Sequence, residues 1–115
     1  MSSRGSKSDH NLHLFLEQDE IGRMGGVRYV TNTMKQHETA EEIQSLGIRA
    51  LANLAYNHTE NAARVVKWGG IEAVLEAMRI HKTSFAVQEA GCIFVWSCLV
   101  SIKNETHITY GYNYM

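Results

Sequence analysis

The chain has 115 residues, of which 44% are hydrophobic and 20% are charged. This length suffices for one small domain and is too short for two. Twelve acidic side chains against eleven basic ones leave a formal net charge of −1, so we expect neither nucleic acid nor an anionic membrane surface as a partner.

The first segment is rich in serine, glycine and charged residues. Its lack of apolar periodicity predicts a disordered tail over residues 1–13. It also lacks the apolar stretch of a secretory signal, so we expect a cytoplasmic or nuclear protein. A short helical pattern then runs from Leu14 to Met24. Gly25 and Gly26 are expected to end this helix, because glycine adopts positive φ angles without steric cost.

Two further helical patterns follow. Val27, Val30 and Met34 recur at a spacing of i, i+3, i+7, which is one stripe of a helix and predicts a helix over 27–36. A longer helix is predicted over 39–57, with acidic residues in its first turn, where carboxylates favour the positive end of the helix dipole.

The same order of elements recurs at a shift of 44 residues. The segment from Ile21 to Val27 reappears from Val65 to Ile71, and the register holds as far as Gly47 and Gly91. Helices are therefore predicted over 61–68, 71–80 and 84–102. A glycine inside a helix costs about 1 kcal/mol relative to alanine, so its recurrence indicates the close approach of a neighbouring helix.

The last predicted helix contains the longest apolar run, residues 92–100. A membrane span needs about 20 residues, so we expect no membrane partner. Cys92 and Cys98 lie in this run, at a spacing that fits neither a disulfide framework nor a CxxC metal site, and are expected to be buried thiols. Inward-facing residues of the helix are expected to be Val87, Ala90, Phe94 and Cys98.

The same helix is apolar on nearly every side and therefore requires cover. A partner protein or a second copy of this chain could bury the stripe formed by Ile93, Trp96 and Val100. Alternatively, the tail could fold back over the stripe through Tyr110, Tyr112 and Tyr114.

The repeat pattern is lost towards the C-terminus. Asn113 stands where the glycine pair would recur, so we expect a repeat domain over residues 14–102 and an incomplete repeat or tail over residues 103–115. About three repeats are normally needed for independent stability. This shortfall predicts self-association, or obligate binding of a partner, through the C-terminal helix.

A period of about 44 residues that holds only helical patterns is typical of an α-solenoid. Residues 61–75 resemble the first two helices of an armadillo repeat, and residues 48–55 resemble the "ALxNLA" ending of its third helix. From about Glu17 to Ser101 the chain thus resembles the armadillo repeat family. The resemblance implies an all-α, right-handed superhelix of about two repeats with a truncated further repeat.

In armadillo proteins the third helices line a concave face, where an asparagine commonly hydrogen-bonds the backbone of an extended peptide. The resemblance assigns this role to Asn53, whose amide can donate and accept at once; hydrogen bonding within the protein is the alternative. Importin-type repeats carry a tryptophan four residues before this asparagine. This chain has Arg49 at that position, and its second repeat has Ile93 and Ser97 at the positions equivalent to Arg49 and Asn53, so we do not expect a receptor for nuclear-localisation signals. Trp96 either contacts a partner or packs between repeats. The predicted partner-binding residues are Asn53, Arg49, Trp96, Ile93 and Ser97.

Motifs that would indicate catalysis, such as GxSxG, HExxH, the P-loop and GxGxxG, do not occur in the sequence. We therefore expect a protein-binding or scaffold module rather than an enzyme, with no cofactor and no metal. The alternative is a truncated fragment of a longer armadillo protein, without binding function of its own.

Overall fold

Six helices follow one another in the part of the chain that the structure describes. The structure, a computed structural model, describes the backbone of residues 7–113 and the side chains of residues 12–103. No strand occurs between residues 7 and 113, so the all-α prediction is confirmed. The helices are α1 (Lys7–Arg23), α2 (Gly26–Gln36), α3 (Glu41–Ala55), α4 (Thr59–Lys67), α5 (Gly70–Ile80) and α6 (Phe85–Asn113).

The two terminal helices are longer than the sequence predicts. Residues 7–13, expected to be disordered, form the first turns of α1. At the other end α6 continues to Asn113 instead of stopping near Ile102. The helix α3 ends next to Asn57, whose φ of 52° is one that asparagine tolerates. The equivalent position in α6 is Ser101, and the chain continues as helix. The side chains of Tyr110, Tyr112 and Tyr114 lie outside the described residues.

The glycine pairs end their helices as predicted. Gly25 has φ 90° and Gly69 has φ 81°, a left-handed conformation that is costly for residues with a Cβ atom. Each of these glycines reverses the chain between a first helix and the next, so α2 and α5 start at equivalent positions.

Two equivalent glutamines tie the second helix of each repeat to the third. The Gln44 amide nitrogen donates to the carbonyls of Met34 and His37, at 3.0 and 2.7 Å. The Gln88 amide donates in the same way to the carbonyls of residues 78 and 81, at 3.0 and 3.2 Å. These carbonyls lie at the ends of α2 and α5, beyond the regular hydrogen bonds of the helix, and three of them also accept a backbone N–H of the adjoining turn, from His37, Ala40 and Ser84. Equivalent side chains thus perform equivalent tasks 44 residues apart.

The recurring glycines inside the long helices do mark close helix approach. A Cβ atom on Gly47 would lie 2.6 Å from Cγ of Met34, and one on Gly91 would lie 2.3 Å from Sδ of Met78. Each glycine therefore allows the methionine of the preceding helix to reach the core. Met34 is 1% exposed and Met78 is partly buried.

The main contact of the fold joins α3 and α6. Arg49 pairs with Glu89, and Tyr56 stacks on Trp96, so both contacts join residues 40 positions apart and the helices run parallel. On the other side of the helix pair, the Ser101 hydroxyl donates to the carbonyl of residue 55 at 2.6 Å. The core lies between them and includes the fully buried residues Ile48, Leu51, Ala52, Ala55, Val87 and Ala90.

A buried asparagine connects α4 to the first repeat. The Asn61 amide nitrogen donates to the carbonyls of Gln18 and Leu54, at 2.9 and 2.8 Å. Its oxygen accepts a hydrogen bond from Arg64 at 2.6 Å. Gly22 lies against this amide, and a Cβ atom there would come within 1.8 Å of the asparagine oxygen. Because Gly22 has no side chain, α1 can pack closely against α4.

The segment Phe85–Lys103 of α6 is long and apolar enough to cross a membrane, by length and composition only, and 33% of it is buried in the described structure. Helices in the core of soluble proteins can be as long and as apolar as this one. Val87, Ala90 and Phe94 are buried against the rest of the fold, as predicted, whereas Cys98 is half-buried and Cys92 is exposed, which corrects the prediction for these thiols. The expectation of no membrane partner stays a prediction.

The glycine contacts predict unequal effects of Gly47→Ala and Gly91→Ala. Alanine gains about 1 kcal/mol of helix propensity at either site, whereas overpacking costs about 1–3 kcal/mol. At Gly47 the clash involves Cγ and Sδ of a fully buried methionine, so we expect net destabilisation. At Gly91 the nearest atoms belong to the flexible end of a partly buried methionine, so we expect a smaller loss or none. Urea unfolding of both variants measures the change in the free energy of unfolding. Equal losses of stability would contradict the inference that Met34 can move less than Met78.

Candidate interaction surface

An exposed row of side chains follows the seam between α3 and α6. It comprises Arg49, Asn53 and Tyr56 on α3 and Glu89, Ile93 and Trp96 on α6, and we call it the α3–α6 ledge. The Arg49 guanidinium lies 3.0 Å from the Glu89 carboxylate, and the rings of Tyr56 and Trp96 are stacked 5.3 Å apart. These two pairs fix the ends of the row, so its side chains are ordered while exposed.

Four of the five predicted partner-binding residues are exposed on this ledge. Trp96 is 55% exposed and Ile93 is 38% exposed, so Trp96 lies at the surface of the seam. Ser97 is 3% exposed, and the prediction that it contacts a partner is wrong. The side of α6 that carries Ser97 faces α3, because the second repeat packs on the first through that side.

Asn53 is exposed, while its backbone carbonyl accepts a hydrogen bond from the Gln18 side chain at 2.7 Å. Its equivalent in the second repeat is the buried Ser97. Asn53 therefore belongs to the ledge and also borders the side of α3 that turns away from α6, where it lines the groove described next.

An apolar groove lies along the side of the first repeat that faces away from the second. It has a volume of about 540 Å³, and a second depression of about 570 Å³ continues it along α1. Ile21, Asn53 and Leu54 line both. This groove is not predictable from the sequence, because most of its residues fit the apolar stripes of a helical core.

A cluster of ionisable residues joins α1 to the start of α4. His58 is 1% exposed, stacks on Phe15 at 4.6 Å and lies with its Nε2 atom 3.3 Å from Oδ1 of Asp19. The geometry at Nε2 is not that of a hydrogen bond. Asp19 also accepts a hydrogen bond from Arg23 at 2.7 Å. Burial raises the pKa of the Asp19 carboxyl, but the hydrogen bond and charge of Arg23, together with His58, lower this pKa below its ordinary value.

Asp19, His58 and Glu60 present ligand atoms within 4.8 Å of one another, a spacing that could hold a metal ion. The chemistry of the imidazole argues against it. Nδ1 of His58 accepts a hydrogen bond from the backbone N–H of Asn61 at 3.1 Å, so the proton of the neutral ring is on Nε2. A metal ion at Nε2 would have to remove that proton from the ring. Alternatively, the proton would have to move to Nδ1, which would break the hydrogen bond from Asn61 that caps α4. The arrangement fits a buried contact between histidine and aspartate.

This cluster was not predicted from the sequence, although one difference between the two repeats indicates it. Position 58 of the first repeat holds histidine where the second repeat has Ile102, and position 19 holds aspartate where the second repeat has Ala63. A polar pair in the first repeat thus replaces an apolar pair in the second, which indicates a contact specific to the first repeat.

Comparison of the chain with protein-family models, with curated proteins and with solved structures finds no match. The armadillo resemblance therefore rests on the residues quoted above, and it stays a prediction.

The lowered pKa of Asp19 predicts an acid-sensitive contribution to stability. Its carboxylate stabilises the fold above the pKa of the unfolded state, and this contribution is lost as the pH falls through the lower pKa of the folded state. Asp19→Asn should therefore lower the urea midpoint at about pH 7, with the difference shrinking towards about pH 2. Glu20→Gln, an exposed neighbour, is the control. A difference for Asp19→Asn that does not depend on pH would exclude the mechanism.

Proposed function

We propose that this chain is an armadillo-like α-solenoid module that binds a partner protein through the α3–α6 ledge. The parallel course of α3 and α6 and the equivalent bonds of Gln44 and Gln88 support a repeated architecture. In an array of this kind, the third helices form one continuous surface. A rigid surface built from helices suits recognition better than loops do, because it loses little entropy on binding.

The ledge combines the residue types that contribute most to protein–protein affinity. Trp, Tyr and Arg are enriched among residues whose truncation costs most at interfaces, and the ledge exposes Trp96, Tyr56 and Arg49 together. This combination of an exposed aromatic stack with an adjacent guanidinium is the observation that carries the proposal. Ile93 adds apolar surface between them.

The chemistry of the ledge favours an extended segment that carries an acidic residue and an apolar one. Arg49 pairs with Glu89 while both side chains are about half exposed. An exposed ion pair contributes little stability, so a carboxylate of the partner can share this guanidinium at small cost. The amide of Asn53, one turn further along α3, can pair with a peptide N–H and C=O. The proposed role is one of binding and not of catalysis, in the cytoplasm or nucleus.

Selection of a random peptide library on the immobilised chain tests this function. We expect enriched peptides with an acidic residue near an apolar one, and we expect their affinity to fall about tenfold, or about 1.4 kcal/mol, in the double variant Arg49→Ala, Asn53→Ala. Binding can be measured by fluorescence anisotropy of a labelled peptide.

The double variant Arg28→Ala, Asn32→Ala is the matched control. It removes the same two residue types at the same spacing from the exposed side of α2, along with a contact of Arg28 with the ring of Trp68. The control should bind as the unaltered chain does. Peptides that bind both variants equally would place the site elsewhere, and the absence of any enriched peptide would contradict the proposed function.

A further inference from the structure

Apolar side chains form an exposed face on the side of the second repeat that points away from the first. We call this the trailing face, and its members are between 47% and 61% exposed. At the equivalent positions of the first repeat, 44 residues earlier, every residue is buried. The trailing face consists of Val66, Leu75, Val95, Trp96, Leu99 and Ile102, and the buried equivalents are Gly22, Thr31, Leu51, Ala52, Ala55 and His58.

The opposite end of the molecule has a corresponding face, the leading face, which includes most of the apolar groove. Tyr29 is 74% exposed, Leu46 is 59% exposed and Ile21 is 46% exposed. The equivalents of this face in the second repeat are at most 6% exposed. The leading face consists of Ile21, Tyr29, Val30, Leu46, Ala50 and Asn53, and the buried equivalents are Val65, Ala73, Val74, Ala90, Phe94 and Ser97.

The internal interface of the chain joins these two kinds of face. The trailing side of the first repeat is covered by the leading side of the second, through the contact of α3 with α6 and of α4 with α1. The same pair of surfaces is left uncovered at the two ends. We propose that a second copy of this chain covers the trailing face with its leading face, so that molecules associate head to tail and continue the internal packing.

The side chains of the two free faces differ in size from those of the internal interface. In the internal interface α3 contributes the small residues Ala52 and Ala55, and α6 contributes Phe94. On the free faces α6 presents Trp96 and Leu99, and α3 presents Ala50 where Phe94 would be. The contact between copies therefore joins the same helix surfaces through different side chains.

The interface is heterologous, since each copy uses two different surfaces. Such contacts do not close a dimer and instead give rings or open chains of molecules. None of the twelve residues of the two faces is charged. Association should therefore persist at high salt, because screening weakens only interactions between charges. The two faces share Trp96 and Asn53 with the α3–α6 ledge, so a bound peptide is expected to compete with self-association.

Sedimentation velocity over a wide concentration range tests the proposal. We expect the 13.0 kDa chain to form dimers and then longer species as its concentration rises. Leu99→Glu disables the trailing face and Tyr29→Glu disables the leading face. Each single variant should be monomeric, and an equimolar mixture should form a complex of twice the monomer mass, because each variant keeps one intact face. Circular dichroism verifies folding. If Leu99→Glu does not fold, Leu75→Glu takes its place on the trailing face. If Tyr29→Glu does not fold, Ile21→Glu takes its place on the leading face.

Leu16→Glu is the matched control, since Leu16 is 55% exposed and its equivalent, Glu60, is also exposed. This variant should associate as the unaltered chain does. A dimer through two α6 helices would survive Tyr29→Glu and give no mixed complex, which overturns the head-to-tail arrangement. A chain that stays monomeric at every concentration overturns self-association altogether, whatever the peptide selection shows.

Discussion

Parallel packing of α6 along α3 is the contact on which the other features depend. It buries the core residues that the two repeats share, and it places Arg49 beside Glu89 and Tyr56 beside Trp96. The α3–α6 ledge is the solvent-exposed edge of this same contact. Loss of the α3–α6 packing would therefore remove the core and the candidate interaction surface together, since neither helix can order the ledge alone.

Polar side chains fix the positions of the other helices around this contact. Apolar burial is non-directional and would tolerate several offsets between helices, whereas Gln44 bonds two defined carbonyls at the end of α2 and Asn61 bonds one carbonyl of α1 and one of α3. A hydrogen bond of this kind contributes about 0.5–1.5 kcal/mol to stability. A few amides thus select one arrangement from those that hydrophobic contact alone would allow.

The sequence predicted the interior of the fold better than its ends. Glycines 25 and 69, the helices between them and the close approach at Gly47 follow from local periodicity and steric rules. The extension of α6 does not, because α3 ends beside the positive φ of Asn57 whereas the equivalent Ser101 stays in the helical conformation. The burial of Ser97 and the contact of Asp19 with His58 depend on which side of each helix faces its neighbour. That is a tertiary property, and spacing along one helix does not contain it.

The uninterrupted course of α6 beyond Ser101 has a consequence for the outer side of the second repeat. In the first repeat the chain turns at Asn57, and α4 then lies against the preceding helices. In the second repeat the described residues make no turn at Ser101 and continue as helix to Asn113. A difference at one backbone position thus determines whether the residues after a third helix shield the side of their own repeat or leave it accessible.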